Sequence, residues 1–550
     1  MMSKKITNVP VLIVGGGLAG LSAALFLSRH SVPYVLIERH QKTNIHPRAR
    51  GLNFRTMELY REVGLDEAID EVGAQLAKGK GWYTAHTLRE AELDPEKMDI
   101  PKILPESVKS YFATLKKISP ASSVRATQNV VEPILLEAAR ERGGDLRFHT
   151  ELTALEQNED HVKATVLNRT TGVEETIVAD YMIAADGAKS PLRQMVNIKM
   201  TEMNSHGHII NIYFEADLEH FVKGREFSAC NITRTGAEGV LLAINNRDRW
   251  CYHVSYDFEG GETAANFTEE RCKEIIQKAI DLPDLQVKIL SVLPWEAAER
   301  VAEQFQQDRV FLIGDAVHLM PPTGGYGANT GVQDAHNLAW KLAAVVNKVA
   351  GPELLKTYEA ERRPVALMTV SEAGRVADTG VFSAMKKQTE KRTSPFDDLI
   401  VSVGYHYESK AILEQDAASS SLEHFELKGQ PGTRTPHIWG EYQGRERSTL
   451  DLLGLGFVLF AGEKAEGWKD AAKHVSGKFG VKINTYSVGQ NGDFIDKDLG
   501  WQNAYQATEK SVVLVRPDGF VCWRCDDQIE QPTLTLEEVF AQLLGKEKSL

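Results

Sequence analysis

Three short stretches carry residue types at spacings suited to chemistry, and the first has the pattern of a phosphate cradle. Gly15-Gly16-Gly17-Leu18-Ala19-Gly20 fits the pattern G-x-G-x-x-G. In that pattern Gly15 allows a tight turn, Gly17 lets a pyrophosphate approach the backbone, and Gly20 lets helix and strand pack closely. A helix starting there offers free N–H groups and partial positive charge to phosphates. Glu38 follows and can accept hydrogen bonds from an adenosine ribose. This motif does not by itself separate FAD from NAD. The second stretch, Asp186-Gly187-Ala188-Lys189-Ser190-Pro191-Leu192-Arg193, reads D-G-x-x-S-x-x-R. The third is Gly314-Asp315. A fourth candidate is the C-x-x-C pair Cys522 and Cys525 in "VCWRC", a spacing used by dithiol redox centres and zinc sites.

Each motif needs an element to hold it. "VPVLIVG" reads as an apolar strand, "LAGLSAALFLSRH" as a helix and "PYVLIE" as a second buried strand, so residues 9–38 form one βαβ unit. Strands "YMIAA" and "RVFLI" lead into the second and third motifs, and 331–351 reads as a helix. Strand-like runs at "GHIINIYFEADL" and "RWCYHVSYDF" suggest a separate sheet. The charged Ser-Pro stretch 386–398 is the best linker candidate. The expected fold class is α/β: a Rossmann-like cofactor domain built from 1–70, 120–200 and 296–390, an inserted β-sheet substrate domain from 71–119 and 201–295, and a C-terminal region from 391 to 550.

The chain of 550 residues is too long for one core. A net charge of -13 argues against nucleic acid or an anionic membrane surface as partner. No apolar run reaches the length of about 18 residues that a membrane span needs. The N-terminal apolar run leads straight into the glycine motif and is not read as a signal peptide. Five cysteines make no disulfide framework, so a reducing compartment, the cytoplasm, is expected.

The motifs occur in the order found in the flavoprotein aromatic hydroxylases, the p-hydroxybenzoate hydroxylase-like group A monooxygenases. "GDAVHLMPPTGGYGANTGVQDAHNLAWKLAAV" resembles that family almost residue for residue, and the resemblance covers about 8–390. It implies FAD. The carboxylate of Asp315 would hold ribityl hydroxyls, which NAD lacks. Arg48 in "HPRARGLNFRTMELYREVGL", preferred over Arg50, and Gln128 in "RATQNVVEPILLEAA" would also contact FAD. Asp186 would lie near FAD and a passing nicotinamide nucleotide, or else only form a tight Asp-Gly turn. Pro322 would turn its carbonyl to the reacting centre, and Gly324 would let the backbone approach the flavin edge. Gly327 and Asn329 would open a helix whose N–H groups stabilise charge on reduced flavin. His318 reads as structural, and Asn337 and Trp340 as capping and packing residues.

The implied reaction is hydroxylation of an aromatic ring through a C4a-hydroperoxyflavin, with O2 as oxidant. No second dinucleotide fingerprint follows a strand, so NAD(P)H would bind only transiently. Tyr213, Tyr252 and Tyr256 lie on the middle strands and are the candidate substrate contacts. Tyr252 and Tyr256 should share a face. "PGTRTPHIWG…STLDLLGLGFVLFAG" resembles the C-terminal region of aklavinone hydroxylase-type polyketide hydroxylases and of phenol hydroxylases. That region is thioredoxin-like, and it favours a polycyclic polyketide substrate, with a simple phenol as alternative. A flavoprotein oxidase or reductase without hydroxylation is the alternative of another class. A monomer or homodimer is expected. "VCWRC" reads as the second strand of a hairpin after a Pro-Asp-Gly turn, with Cys522 and Cys525 on opposite faces and no metal or redox role.

Overall fold

Residues 11–14 form an unbroken apolar run, as a strand covered on both faces requires. In the computed structural model they end the central strand of a parallel sheet. The structure describes residues 6–74, 76, 81–93, 113–379, 399–413 and 427–546. The first sheet contains β1 (Ile6–Val14), β2 (Tyr34–Glu38), β4 (Asp145–Phe148), β7 (Glu174–Ala184), β13 (Gln306–Gln307) and β14 (Val310–Leu312) in the order β13-β14-β7-β1-β2-β4. Strands β5 (Thr150–Gln157) and β6 (Val162–Asn168) extend from β7 as an antiparallel pair. Helix α1 (Leu18–Arg29) connects β1 to β2. The chain therefore turns to one side of β1 for β2 and to the other for β7, which makes the carboxyl end of β1 a topological switch point.

The second sheet runs β15-β12-β8-β11-β10-β9-β3, built from β3 (Trp82–Ala85), β8 (Met200–Glu215), β9 (Ala229–Ile232), β10 (Gly239–Ala243), β11 (Arg249–Tyr256), β12 (Lys288–Ala302) and β15 (His318–Leu319). The long strands β8 and β12 reach back to the cofactor sheet. The third sheet runs β17-β16-β20-β19-β18-β21-β22, from β16 (Trp439–Tyr442), β17 (Arg445–Ser448), β18 (Phe457–Gly462), β19 (Ile483–Gly489), β20 (Phe494–Ile495), β21 (Val512–Val515) and β22 (Val521–Cys525).

The remaining helices that matter here are α2 (Phe54–Glu62), α3 (Asp66–Ala74), α4 (Gln128–Glu141), α5 (Pro191–Met195), α6 (Glu269–Ile280), α7 (Tyr326–Val346), α8 (Glu353–Thr379), α9 (Trp468–Phe479) and α10 (Pro532–Leu543). Helix α7 lies against α1. Gly331 permits close approach: a Cβ there would stand 3.0 Å from Gly314 Cα. The proposed linker at 386–398 lies outside the described residues.

The hairpin reading of "VCWRC" agrees with the antiparallel pairing of β21 and β22. The opposite-face expectation for the two cysteines does not hold. A β-bulge lies where Leu514 pairs with Trp523 and Val515 with Val521, and Cys522 is the extra residue. The bulge resets the alternation, so Cys522, Trp523 and Cys525 all pack into the core shared with α9 and α10. Both cysteines are free and buried, and burial raises both thiol pKa values. These are inert thiols.

The turn between β21 and β22, Arg516-Pro517-Asp518-Gly519, docks the third sheet on the first domain. Arg516 donates to Glu361 Oε1 and Oε2 at 2.6 and 2.9 Å and to Asp518. Lys341 donates to Glu361 at 2.8 Å. All four side chains are buried. Burial alone would raise Glu361, but Arg516 and then Lys341 overcome it and hold the carboxyl far below the usual range. Glu361→Gln should remove the charge that Lys341 and Arg516 share, leave Lys341 without its paired carboxylate and lower the unfolding free energy by about 3–5 kcal/mol, read from urea titration. A carboxyl held this low contributes its stability above the ordinary carboxylate range and loses it as pH falls. The wild type should therefore lose stability in acid more steeply than the variant.

Candidate cofactor and substrate site

The three sequence motifs leave the carboxyl ends of three adjacent parallel strands: Gly15 after β1, Ala185-Asp186 after β7, and Gly314-Asp315 after β14. Gly15 donates its N–H to Ile37 carbonyl at 2.8 Å and adopts φ +114, which a side chain resists. A methyl on Gly15 would strike the Ala185 carbonyl, and one on Gly20 would strike the Gly15 carbonyl. Gly17 caps the start of α1, where the nearest group to a would-be Cβ is Glu132 Oε1, at 3.6 Å. Glu38, at the end of β2, accepts from Gly16 N–H at 2.7 Å and from His40 N–H at 2.8 Å.

The segment 46–50 alternates between two sides. His46 and Arg50 reach the middle sheet: His46 Nδ1 lies 2.6 Å from Ser291 Oγ, and Arg50 donates to Ser228 and Ala243 carbonyls at 3.1 and 3.0 Å. Arg48 turns the other way, is exposed, and its guanidinium has no hydrogen bond among the described residues. It acts electrostatically on Asp315. The Arg48 carbonyl accepts from Gln128 N–H at 2.8 Å, which seats α4 beside it. Gln128 Nε2 donates to Glu132 Oε1 at 2.5 Å, and Asn44 N–H donates to Glu132 Oε2 at 2.9 Å. Burial raises the Glu132 carboxyl against these hydrogen bonds.

Asp186 has both oxygens engaged, by Ser190 Oγ–H at 2.6 Å and Leu192 N–H at 2.9 Å, so its side chain caps α5. Arg193 donates to the Ala316 carbonyl at 2.7 Å and thereby ties the second motif to the third. Asp315 is different. It lies deep in the protein yet stays open to solvent, as a residue on a cleft floor does. Burial raises its carboxyl, opposed by His318 and Arg48. The His318 Nε2 is engaged elsewhere, at 2.7 Å from Asp334.

Pro322, Gly324 and Gly325 are exposed at the mouth of this cleft. Gly324 and Gly325 take φ +75 and +67, so the loop reverses tightly before α7 begins. Thr323 Oγ1 anchors it to the Ala373 carbonyl at 2.6 Å. Gly327 lies in the first turn of α7, whose N–H groups have no partner within the helix. The Asn329 side chain is a staple: it accepts from Asn53 N–H and donates to the Gly51 and Gly325 carbonyls. The donor set fits FAD: a glycine cradle with a helix start for a diphosphate, a free guanidinium at Arg48 and an open carboxylate at Asp315.

The tyrosine expectations need correction. Tyr252 and Tyr256 share a face, but it is the face covered by α6. Tyr252 donates to the Ala237 carbonyl and is buried with Ile275 and Ile276, and Tyr256 packs on Phe267. Neither faces the segment 46–50. Register explains it: Cys251, not Tyr252, pairs with Tyr213. Tyr213 is on the other face, with its ring 5.8 Å from that of His46.

The FAD binding domain family matches residues 8–373, and the aromatic-ring hydroxylase C-terminal family matches 428–546. The chain belongs to the FAD-dependent aromatic-ring hydroxylases. It is 37% identical to tetracenomycin A2 monooxygenase-dioxygenase of Streptomyces glaucescens, over 98% of this chain and 97% of that one. It is 34% identical to 4-methyl-5-nitrocatechol 5-monooxygenase of a Burkholderia species, over 98% of both. Among solved structures it resembles aklavinone-11 hydroxylase in complex with FAD and aklavinone, with TM-score 0.85, 33% identity, and 99% of this chain and 100% of that one covered. The protein is thus an FAD-dependent aromatic monooxygenase. No helix among the described residues is long and apolar enough to cross a membrane.

Sequence reasoning missed the role of the sheet face opposite α6. His46, Arg50, Cys251 and His253 meet there, and no pattern in the sequence reported it: simple alternation would put 46, 48 and 50 on one side, and Ala49 breaks it at φ +44. For the hydroxylase, Arg48→Met should weaken FAD binding by about tenfold, the loss of one charged hydrogen bond. Titration of apoprotein with FAD, followed by flavin fluorescence, measures this. Arg50→Met should leave FAD affinity within about twofold, because its guanidinium serves the middle sheet.

Proposed function

We propose that this protein hydroxylates a polycyclic aromatic polyketide, using O2 and an external NAD(P)H donor. The observation that carries the reading is end-to-end likeness to a hydroxylase whose structure holds FAD and aklavinone. Bound FAD supplies hydride acceptance and oxygen activation. The chain supplies the rest. Gly15, Gly17 and Gly20 admit the diphosphate, Glu38 takes the adenosine ribose, and Arg48, Gln128 and Asp315 orient the cofactor. The loop at Pro322 and Gly324 borders the reacting edge and limits water there. Gly327 and Asn329, in the first turn of α7, place backbone N–H groups where negative charge develops. Asp186 shapes the loop beside the cofactor through α5. Tyr213 belongs to the substrate side.

The third sheet is read as thioredoxin-like without a working dithiol, since its cysteines are buried strand residues. The protein is read as a monomer or homodimer of the cytoplasm. A simple phenol as substrate is the second reading, favoured by the nitrocatechol monooxygenase relative.

Turnover under isotopically heavy O2 tests the proposal. NADH and NADPH should be tried against a panel of polyketide aromatics and simple phenols. The expected result is heavy oxygen in a hydroxylated polycyclic product, with NAD(P)H consumed in step. Peroxide formed in step with NAD(P)H on every aromatic would establish an oxidase instead. Product from simple phenols alone would select the second reading.

A further inference from the structure

Strand β11 has two faces with different fates. Trp250, Tyr252 and Val254 pack beneath α6. Cys251 and His253 point to the other side, toward segment 46–50. His253 sits mid-sheet, opposite Asn211 of β8 and Val240 of β10. Its neighbours are committed. His46 is bonded to Ser291 and nearly inaccessible. Arg50 is bonded to Ser228 and Ala243 carbonyls. Trp295 donates Nε1–H to Asn211 Oδ1 at 2.8 Å and sets its ring edge-on to His253, with centroids 6.3 Å apart. The His253 imidazole makes no hydrogen bond among the described residues. It is enclosed by protein, yet its ring keeps open surface.

Tyr213, Val240 and Leu242 form an apolar floor on the same face. An apolar floor with one unsatisfied polar point suits a flat ring system bearing a hydroxyl. The site adjoins the cofactor cleft, because Arg48 of the same segment faces Asp315. Burial, with Arg50 and His46 beside it, lowers the His253 pKa to about 3. At neutral pH the imidazole is uncharged and offers one donor and one acceptor.

We propose that His253 is the hydrogen-bonding residue that recognises a ring hydroxyl of the aromatic substrate. This rests on the hydroxylase reading above. Binding of a matched pair of probes, alizarin and anthraquinone, to the FAD-loaded protein tests it by calorimetry. Wild type should prefer alizarin by about tenfold, as one hydrogen bond allows. His253→Phe should erase that preference and leave anthraquinone binding unchanged. His253→Gln, which keeps a donor and an acceptor, should restore part of it. His253→Leu serves as the apolar variant should phenylalanine prevent folding or FAD retention. An unchanged preference in the apolar variant, or equal weakening of both probes, overturns the assignment and leaves the hydroxylase reading intact. If wild type binds neither probe, the polycyclic reading and the assignment fall together.

Discussion

A single carboxylate, Asp334 on α7, holds the cofactor domain in register with what surrounds it. It is buried without access to water. It accepts from Gly314 N–H at 3.1 Å, lies 2.7 Å from His318 Nε2, and accepts from Arg362 Nε at 2.8 Å. Burial works against its charge, and Arg362 and His318 more than compensate. A buried anion persists only when its partners are all present. The turn that carries Asp315, the short strand β15 and helix α8 must therefore converge on one point. Arg362 extends the convergence, donating also to Tyr407 Oη and the Thr330 carbonyl.

The next residue back on α8 faces a different partner. Glu361 receives Arg516 from the third sheet while Arg362 receives Asp334 from beside the cofactor loop. Two consecutive residues thus connect the C-terminal region to the turn holding Asp315. Around them Phe520 stacks on Tyr407 with centroids 4.1 Å apart, and Arg55 reaches the Asp518 carbonyl. The C-terminal region is built into the cofactor domain, and the same charges that dock it also join α7 to α8.

Glycine motifs were legible in the sequence because their demands are local. Gly15 and Gly20 face backbone at distances no side chain tolerates, and a strand before and a helix after complete the pattern. The polar face of α7 was not legible. Asn337 and Lys341 look like ordinary helix residues until Glu361, Arg516 and Asp518 arrive from far along the chain. Alternation told correctly that Tyr252 and Tyr256 share a face. It could not tell which face α6 covers, since that depends on the crossing of a distant helix. The cysteines failed for a similar reason: a bulge depends on the partner strand β21, which spacing within "VCWRC" does not report. Asp186 stood in a recognisable motif, yet its carboxylate is used to build α5.

The segment 46–50 is a partition one chain thick. One side, at Arg48, faces Asp315 and, on the proposed reading, the cofactor. The other, at His46 and Arg50, is fitted to whatever lies on the sheet. On the proposed reading the two sides can diverge independently: substitution at 46 or 50 would alter the substrate side and spare the cofactor side. Such a partition would let one redox apparatus serve different ring systems, with selection acting on positions 46 and 50 of a five-residue stretch.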